Sequence, residues 1–231
     1  LMEMGVSVSF FLLSTRDQVQ GDARANMDLV VDLLAKHALS QFIEIPDKES
    51  LEAATEILPD HDLFVDAIFG TGLNSDVRGI YRDVIELIND SGKAVFSVDI
   101  PSGINADTGA VCGVAIQADA TATFAFAKVG QILYPGNFHT GALEVIDIGI
   151  PGHIAKAQSL DIFLPESHDI ADLIPAREFN AHKGNFGHLL VLAGSPGKTG
   201  AAALCANAAM RTGAGLVTLG VPETLMPVIE P

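Results

Sequence analysis

The chain has 231 residues, 48% of them in the AVILMFWYC set and 18% charged, which is the balance of a folded protein and excludes a disordered one. Its 13 Lys and Arg stand against 29 Asp and Glu, a formal net charge of -16; with the basic residues scattered, this repels a phosphate backbone and argues against a nucleic-acid partner. Cys112 and Cys205 are too few for a disulfide framework and have no ligand-like spacing, so they read as two small buried thiols in a reducing cytosol, and no charge-free stretch reaches membrane-spanning length.

In chain order, residues 1–13 are apolar but carry Glu3 and no basic leading segment, so they read as the end of a helix and a strand (6–13), not as a signal peptide. A chain that starts on Leu1 with an element already under way is expected to lack its N-terminal part. Val30, Leu33, Leu34 and His37 fall at helical spacing within residues 27–39. A short strand is expected at 42–45, a helix at 47–58 and a buried strand at 63–69. Tyr81, Val84, Ile85 and Ile88 mark the apolar face of the next helix, and 94–100 is another buried strand. Alternating strands and helices, with strands apolar on both faces, predict a parallel sheet covered by helices. Strands at 121–127 and 142–148 follow with no clear helical pattern between them. The first unit is therefore α/β, a Rossmann-like, mostly parallel sheet with helices on both faces.

Pro151 and Gly152 open a change of character, and Pro165 breaks what pattern remains. A second unit follows, with a helix near 169–174, a strand at 188–193, a glycine-rich turn, a small-residue helix to about Thr212 and a strand at 216–221. One strand-helix-strand segment cannot bury a full core, so this unit is expected to be cut short. The boundary is placed between residues 164 and 165.

Two strand ends carry the chemistry. The strand 63–69 runs into Gly70-Thr71-Gly72-Leu73-Asn74, where glycines beyond the carboxyl end of a parallel strand let a ligand approach the backbone. Gly-x-Gly turns also occur in loops without function, so this signal is weak alone. Ser97-Val98-Asp99-Ile100-Pro101-Ser102-Gly103 is sharper, because a carboxylate ends a buried strand just before a tight turn. An acid–base or ligand role and a turn-capping role both fit Asp99. Asp66, inside an apolar strand, needs a cation, a metal or a ring of donors.

Val65-Asp66-Ala67-Ile68-Phe69-Gly70-Thr71-Gly72 together with Val98-Asp99-Ile100-Pro101-Ser102-Gly103 resembles two motifs of the NAD(P)HX epimerase family, over a stretch running from near Leu1 to about Ile150. Such enzymes interconvert the epimers of NADH or NADPH hydrated at C6 of the nicotinamide ring. The resemblance implies that Asp99 is the catalytic and substrate-binding aspartate and that Asp66 and Ser102 are ligands of a potassium ion. It implies a dinucleotide-binding loop of Gly70, Thr71, Gly72, Leu73, Asn74, Ser75 and Asp76, with Tyr81 nearby. An upstream Gly- and Asn-rich phosphate loop of the family does not occur in the chain and would lie before Leu1.

The second unit resembles the opening of the ADP- or ATP-dependent NAD(P)HX dehydratase, a ribokinase-like fold. The matching segments are His182-Lys183-Gly184, Gly187-His188-Leu189-Leu190-Val191-Leu192-Ala193-Gly194-Ser195, Gly200-Ala201-Ala202 and Arg211-Thr212-Gly213-Ala214-Gly215-Leu216-Val217. This implies ADP or ATP with Mg2+ as co-substrate of that half and puts Ala201 at its hydrated-nicotinamide site. The family's nucleotide-binding segments and late catalytic Asp would lie beyond Pro231, so the chain alone is expected to be inactive as a dehydratase. Gly194-Ser195-Pro196-Gly197-Lys198-Thr199 ends like a phosphate-binding P-loop, but the required upstream glycine position is Leu192, so it reads as a turn. His37 reads as a packed or half-exposed residue on a helical face and His139 as a loop residue, while His182 is the best functional candidate of the three and still reads as structural.

The expectation is thus a bifunctional repair enzyme for hydrated NADH and NADPH, cytoplasmic, assembled as a homo-oligomer and without a membrane partner. A non-catalytic scaffold is the alternative, since some proteins with an epimerase-like fold serve RNA-decay assemblies. The net charge and intact Asp66, Asp99 and Ser102 argue against it. A sugar or vitamin kinase would rest on the second unit alone.

Overall fold

Short apolar runs joined by helical crossovers can pair only in parallel, and every named strand pair among the described residues does so. The computed structural model describes residues 1–158, 160–174 and 176–229. Strand β1 (Ser9–Leu12) crosses through helix α1 (Gly21–Leu34) to β2 (Gln41–Glu44), and the two form a sheet of their own. After α2 (Lys48–Ala54), strand β3 (Leu63–Asp66) leads through α3 (Ile80–Asp90) to β4 (Ala94–Val98). β5 (Ala120–Phe124) and β6 (Ala142–Ile146) complete a four-stranded sheet in the order β3-β4-β5-β6. This is the expected α/β architecture, a parallel sheet flanked by helices.

The helical spacing of Val84, Ile85 and Ile88 produces the main core. Ile85 is fully buried and packs with Phe64, Val77, Val95 and Ile116, while Leu73 and Tyr81 lie against the same cluster. A side chain of that size contributes roughly 1.5–3 kcal/mol when fully buried. Ile45, Leu51, Ala54 and Val84 form a second cluster, against which Phe11 and Ile43 of the two-stranded sheet pack. A third, of Ile100, Ile104, Ala106 and Ala115, underlies the turn after β4.

The structure departs from the sequence reading in several places: α1 lies at Gly21–Leu34 and not at 27–39, so His37 falls beyond it, α2 ends at Ala54 and not at 58, and Cys205, expected to be buried, is exposed. Strands β3, β4 and β5 end sooner than expected; β4 and β5 stop where Asp99 and Ala125 take left-handed conformations (φ 69° and 63°) that end extended pairing. Two short helices, α4 (Val129–Ile132) and α5 (Gly136–Thr140), occupy the stretch between β5 and β6, each too short to show a helical apolar repeat. Leu63 and Val65 remain 49% and 50% exposed, so β3 is covered on the Phe64 and Asp66 face, not on both.

The chain divides into two units, Leu1–Ser159 and Leu160–Pro231, a few residues before the boundary read from the sequence. The first closes with α6 (Gly152–Ala157). The second contains α7 (Ser167–Asp172) and one parallel unit, β7 (His188–Leu192), α8 (Thr199–Thr212) and β8 (Leu216–Gly220). Val191, Ala202 and Leu225 are buried in it, whereas Leu189, Leu190, Leu192 and Leu204 are exposed. Among the described residues, no helix is long and apolar enough to cross a membrane.

Candidate functional site

Neighbouring parallel strands deliver their carboxyl ends to one edge of the sheet, and β3 and β4 do so in register, Asp66 opposite Ser97. Asp66 is only 1% exposed. Its Oδ2 accepts from Ser97 Oγ and the Ser102 amide, both at 2.8 Å, and its Oδ1 from Ser102 Oγ at 2.5 Å and the Ile68 amide at 3.3 Å. Four donors meet the roughly four lone-pair sites of a carboxylate. The buried charge is therefore held by a ring of neutral donors, one of the three resolutions open to it. Ser102 Oγ also accepts from the Phe69 amide at 2.8 Å, so this serine pins the start of the glycine loop to the turn after β4.

Asp99 stands three residues before Ser102, in a conformation that non-glycine residues rarely adopt and that costs roughly 1–3 kcal/mol. The surroundings hold it there. Its amide donates to Ala122 O at 2.8 Å, and its carbonyl accepts from Gln131 Nε2 at 2.7 Å. Its Oδ1 accepts from Lys128 Nζ at 2.5 Å, the Phe124 amide at 3.1 Å and Thr123 Oγ1 at 3.2 Å. Partial burial pushes the Asp99 carboxyl up, but the Lys128 ammonium, the Phe124 amide and the Thr123 hydroxyl together outweigh it. The carboxyl lies below the ordinary aspartate value and is ionised at neutral pH.

Residues 70–76 form the loop beyond β3, exposed except for Leu73, which lies against the core beside Tyr81. Tyr81 in turn meets Phe69 in a tilted arrangement, ring centroids 5.1 Å apart and planes at 51°. Asn105 Nδ2 donates to Leu73 O at 3.2 Å, tying this loop to the turn that follows Asp99. A Cβ at Gly70 or Gly72 would meet no protein atom within 4 Å, so packing does not require glycine at either position. Gly103 differs: with φ at 100°, its Cβ would fall 2.1 Å from Val114 O, so that motif glycine is structural.

The oxygens of Asp66 and Ser102 suit a hard monovalent cation in type, and among the described residues no group of three or more His, Cys, Asp or Glu could hold a metal. Holding potassium would require Ser102 Oγ to turn a lone pair toward the ion in place of its proton on Asp66. Ala201 lies exposed on α8 in the second unit. His182 caps a turn by accepting from the Gly184 amide, and His139 Nδ1 bonds Ile116 O at 3.0 Å. Lys198 N donates to Ser195 O in a simple turn ahead of α8.

Sequence reasoning passed over Lys128, Thr123 and Gln131. Thr123 is fully buried and Gln131 2% exposed, and both touch Asp99 or its lysine partner. Lys128 had one available signal, a lone cation just beyond the carboxyl end of an apolar strand adjacent to β4.

Known proteins resemble this chain along most of its length. The profile of the family described as YjeF-related protein N-terminus matches residues 1–130. The chain is 40% identical over 229 residues to a protein of Moorella thermoacetica, and 38% identical over 229 and 231 residues to proteins of Thermofilum pendens and Salinibacter ruber. Each is named bifunctional NAD(P)H-hydrate repair enzyme Nnr. The alignments take in 99%, 99% and 97% of this chain, and the chain spans 42% of the length of each relative.

Proposed function

The chain belongs to the family described as YjeF-related protein N-terminus, and from that premise we propose that its first unit interconverts the R and S epimers of hydrated NADH and NADPH. One observation carries the reading: Asp99, ionised and held in a strained conformation at the carboxyl end of β4, stands on the sheet edge from which the 70–76 loop also springs. Ligands of open α/β sheets bind outside the carboxyl ends of the strands. The C6 hydroxyl of the hydrate sits on a carbon bonded to the ring nitrogen, so inversion breaks and remakes a C–O or C–N bond there. Of the two, the C–N course suits an ionised carboxylate: it takes the hydroxyl proton as C6–O becomes a carbonyl and the C–N electron pair goes to nitrogen, and it returns the proton when nitrogen adds back to the other face of that carbonyl, in either direction and without any redox step. Gly70, Thr71, Gly72, Leu73, Asn74, Ser75 and Asp76, with Tyr81, would receive the dinucleotide. The open space at Gly70 and Gly72 favours this, since backbone amides there can approach phosphates.

Asp66 and Ser102 would hold potassium, whose charge would organise the edge next to Asp99. The residues from about 165 onward would begin the ADP- or ATP- and Mg2+-dependent dehydratase, with Ala201 at its hydrated-nicotinamide site. A cytoplasmic location and a homo-oligomeric assembly complete the reading.

The test is kinetic. In the full-length protein, Asp99→Asn is expected to retain the wild-type melting temperature within a few degrees and to lower the epimerisation rate by roughly 100-fold or more. Chromatographic separation of the epimers follows the reaction. A variant within a few-fold of wild type would remove Asp99 from the chemistry.

A further inference from the structure

We infer that Lys128 and Gln131 are positioning residues that clamp Asp99, committing one carboxylate oxygen to the protein and presenting the other to the substrate hydroxyl. The inference rests on the epimerase reading of this site. Every donor that reaches the Asp99 carboxylate, namely Lys128 Nζ, Thr123 Oγ1 and the Phe124 amide, bonds Oδ1. Among the described residues none bonds Oδ2, and the side chain is 22% exposed, which leaves Oδ2 as the oxygen without a protein donor and with its lone pairs uncommitted.

Lys128 holds and does not donate onward. An ammonium has three N–H groups, and Nζ directs them to Asp99 Oδ1 at 2.5 Å, Thr123 Oγ1 at 2.8 Å and Phe124 O at 3.0 Å. Thr123 Oγ1 accepts from the lysine while donating to the aspartate, which closes a small ring. Gln131 locks the backbone on both sides. Its Nε2 donates to Asp99 O at 2.7 Å and its Oε1 accepts from the Lys128 amide at 2.8 Å. Among the described residues, Asp99 and Ala125 are the two with φ above zero other than glycine, and they flank this ring. Strain concentrated around one ion pair is what a preorganised site displays.

Lys128 is the one charged group facing Asp99 among the described residues. Thr123 and the Phe124 amide, from β5, and Gln131, from α4, are neutral. The sign follows directly. A cation beside a carboxylate lowers its pKa, so removing it raises the pH at which Asp99 takes up a proton.

The experiment uses the full-length protein with two readouts, a carbon-13 titration of the Asp99 carboxyl and the pH dependence of kcat/KM for epimerisation. Wild type should titrate below the ordinary aspartate value. Lys128→Met should move both the carboxyl titration and the acid limb upward by roughly 1 pH unit or more, the scale for losing an opposite charge in contact. Lys128→Arg should leave the titration close to wild type. Gln131→Met keeps the charge, and should lower kcat at least roughly tenfold with KM and the titration little changed. A Lys128→Met titration at the wild-type position would overturn the electrostatic role of Lys128. Unchanged kcat in Gln131→Met would overturn the backbone clamp. A wild-type protein without epimerase activity would sink the epimerase reading separately, and the carbon titration would still decide the lysine's role.

Discussion

Asp66 and Asp99 end neighbouring parallel strands, yet Asp66 is sealed by neutral donors, whereas Asp99 is partly exposed, bonded through one oxygen and paired with a lysine. Removing the Asp66 carboxylate would leave Ser97 Oγ and the Ser102 amide without acceptors in a buried place. At roughly 1–3 kcal/mol for each unsatisfied donor, Asp66→Ala should destabilise the protein by about 3 kcal/mol or more, measurable by chemical denaturation. The proposed potassium adds a second expectation. Wild type should melt higher in potassium than in a large organic cation at equal ionic strength, and Asp66→Ala should lose that difference. Equal melting of wild type in both salts would leave Asp66 with a purely structural part. Both carboxylates were legible as anomalies in apolar strands, and Ser97 and Ser102 already stood in the quoted motif. Their role as donors was not, because it depends on the β3–β4 register. Lys128 offered only its place just beyond the strand read at 121–127; that it reaches Asp99 across 29 residues depends on how β4 and β5 pair.

The turns beyond the strands build this edge, more than the strands themselves. Helix α4 is a single turn, and it places Lys128 at its cap and Gln131 inside it. It can lie that close only because residue 130 is glycine. A Cβ there would fall 2.2 Å from Asn105 O and 2.9 Å from Ala106 O, while the Gly130 amide donates to Ala106 O at 2.7 Å. Gly130→Ala must push α4 away from the turn after β4, and should cost about 1–3 kcal/mol, the scale of overpacking. It should lower epimerisation by a larger factor than the lost stability alone explains at a temperature where the variant is folded. Melting and rate measured on the same sample check this; unchanged stability would mean that the turn gives way freely. The alternation of apolar patterns was sufficient to read α3 and the parallel strands, and showed that a helix precedes β2, though α1 lies at Gly21–Leu34 and not at 27–39. It could not show α4 or α5, whose four or five residues carry no period, nor the left-handed Asp99 and Ala125 that end strands early.

The whole chain carries a charge of -16, a sheet edge with an ionised aspartate, and a second unit with one parallel βαβ segment. Its alignment with the three named repair enzymes continues through both units. This continuity favours the reading in which epimerisation and dehydration of one damaged cofactor belong to a single longer protein. It disfavours a scaffold, which would need neither Asp99 nor its clamp. The most direct measurement starts from each pure epimer of hydrated NADH, separately, with the full-length protein and neither ADP nor ATP. Chromatography should show both reactions converging on the same epimer ratio, far faster than without protein, and with no NADH or NAD+ formed. Epimers that persist at the uncatalysed rate, from either starting point, would contradict the account.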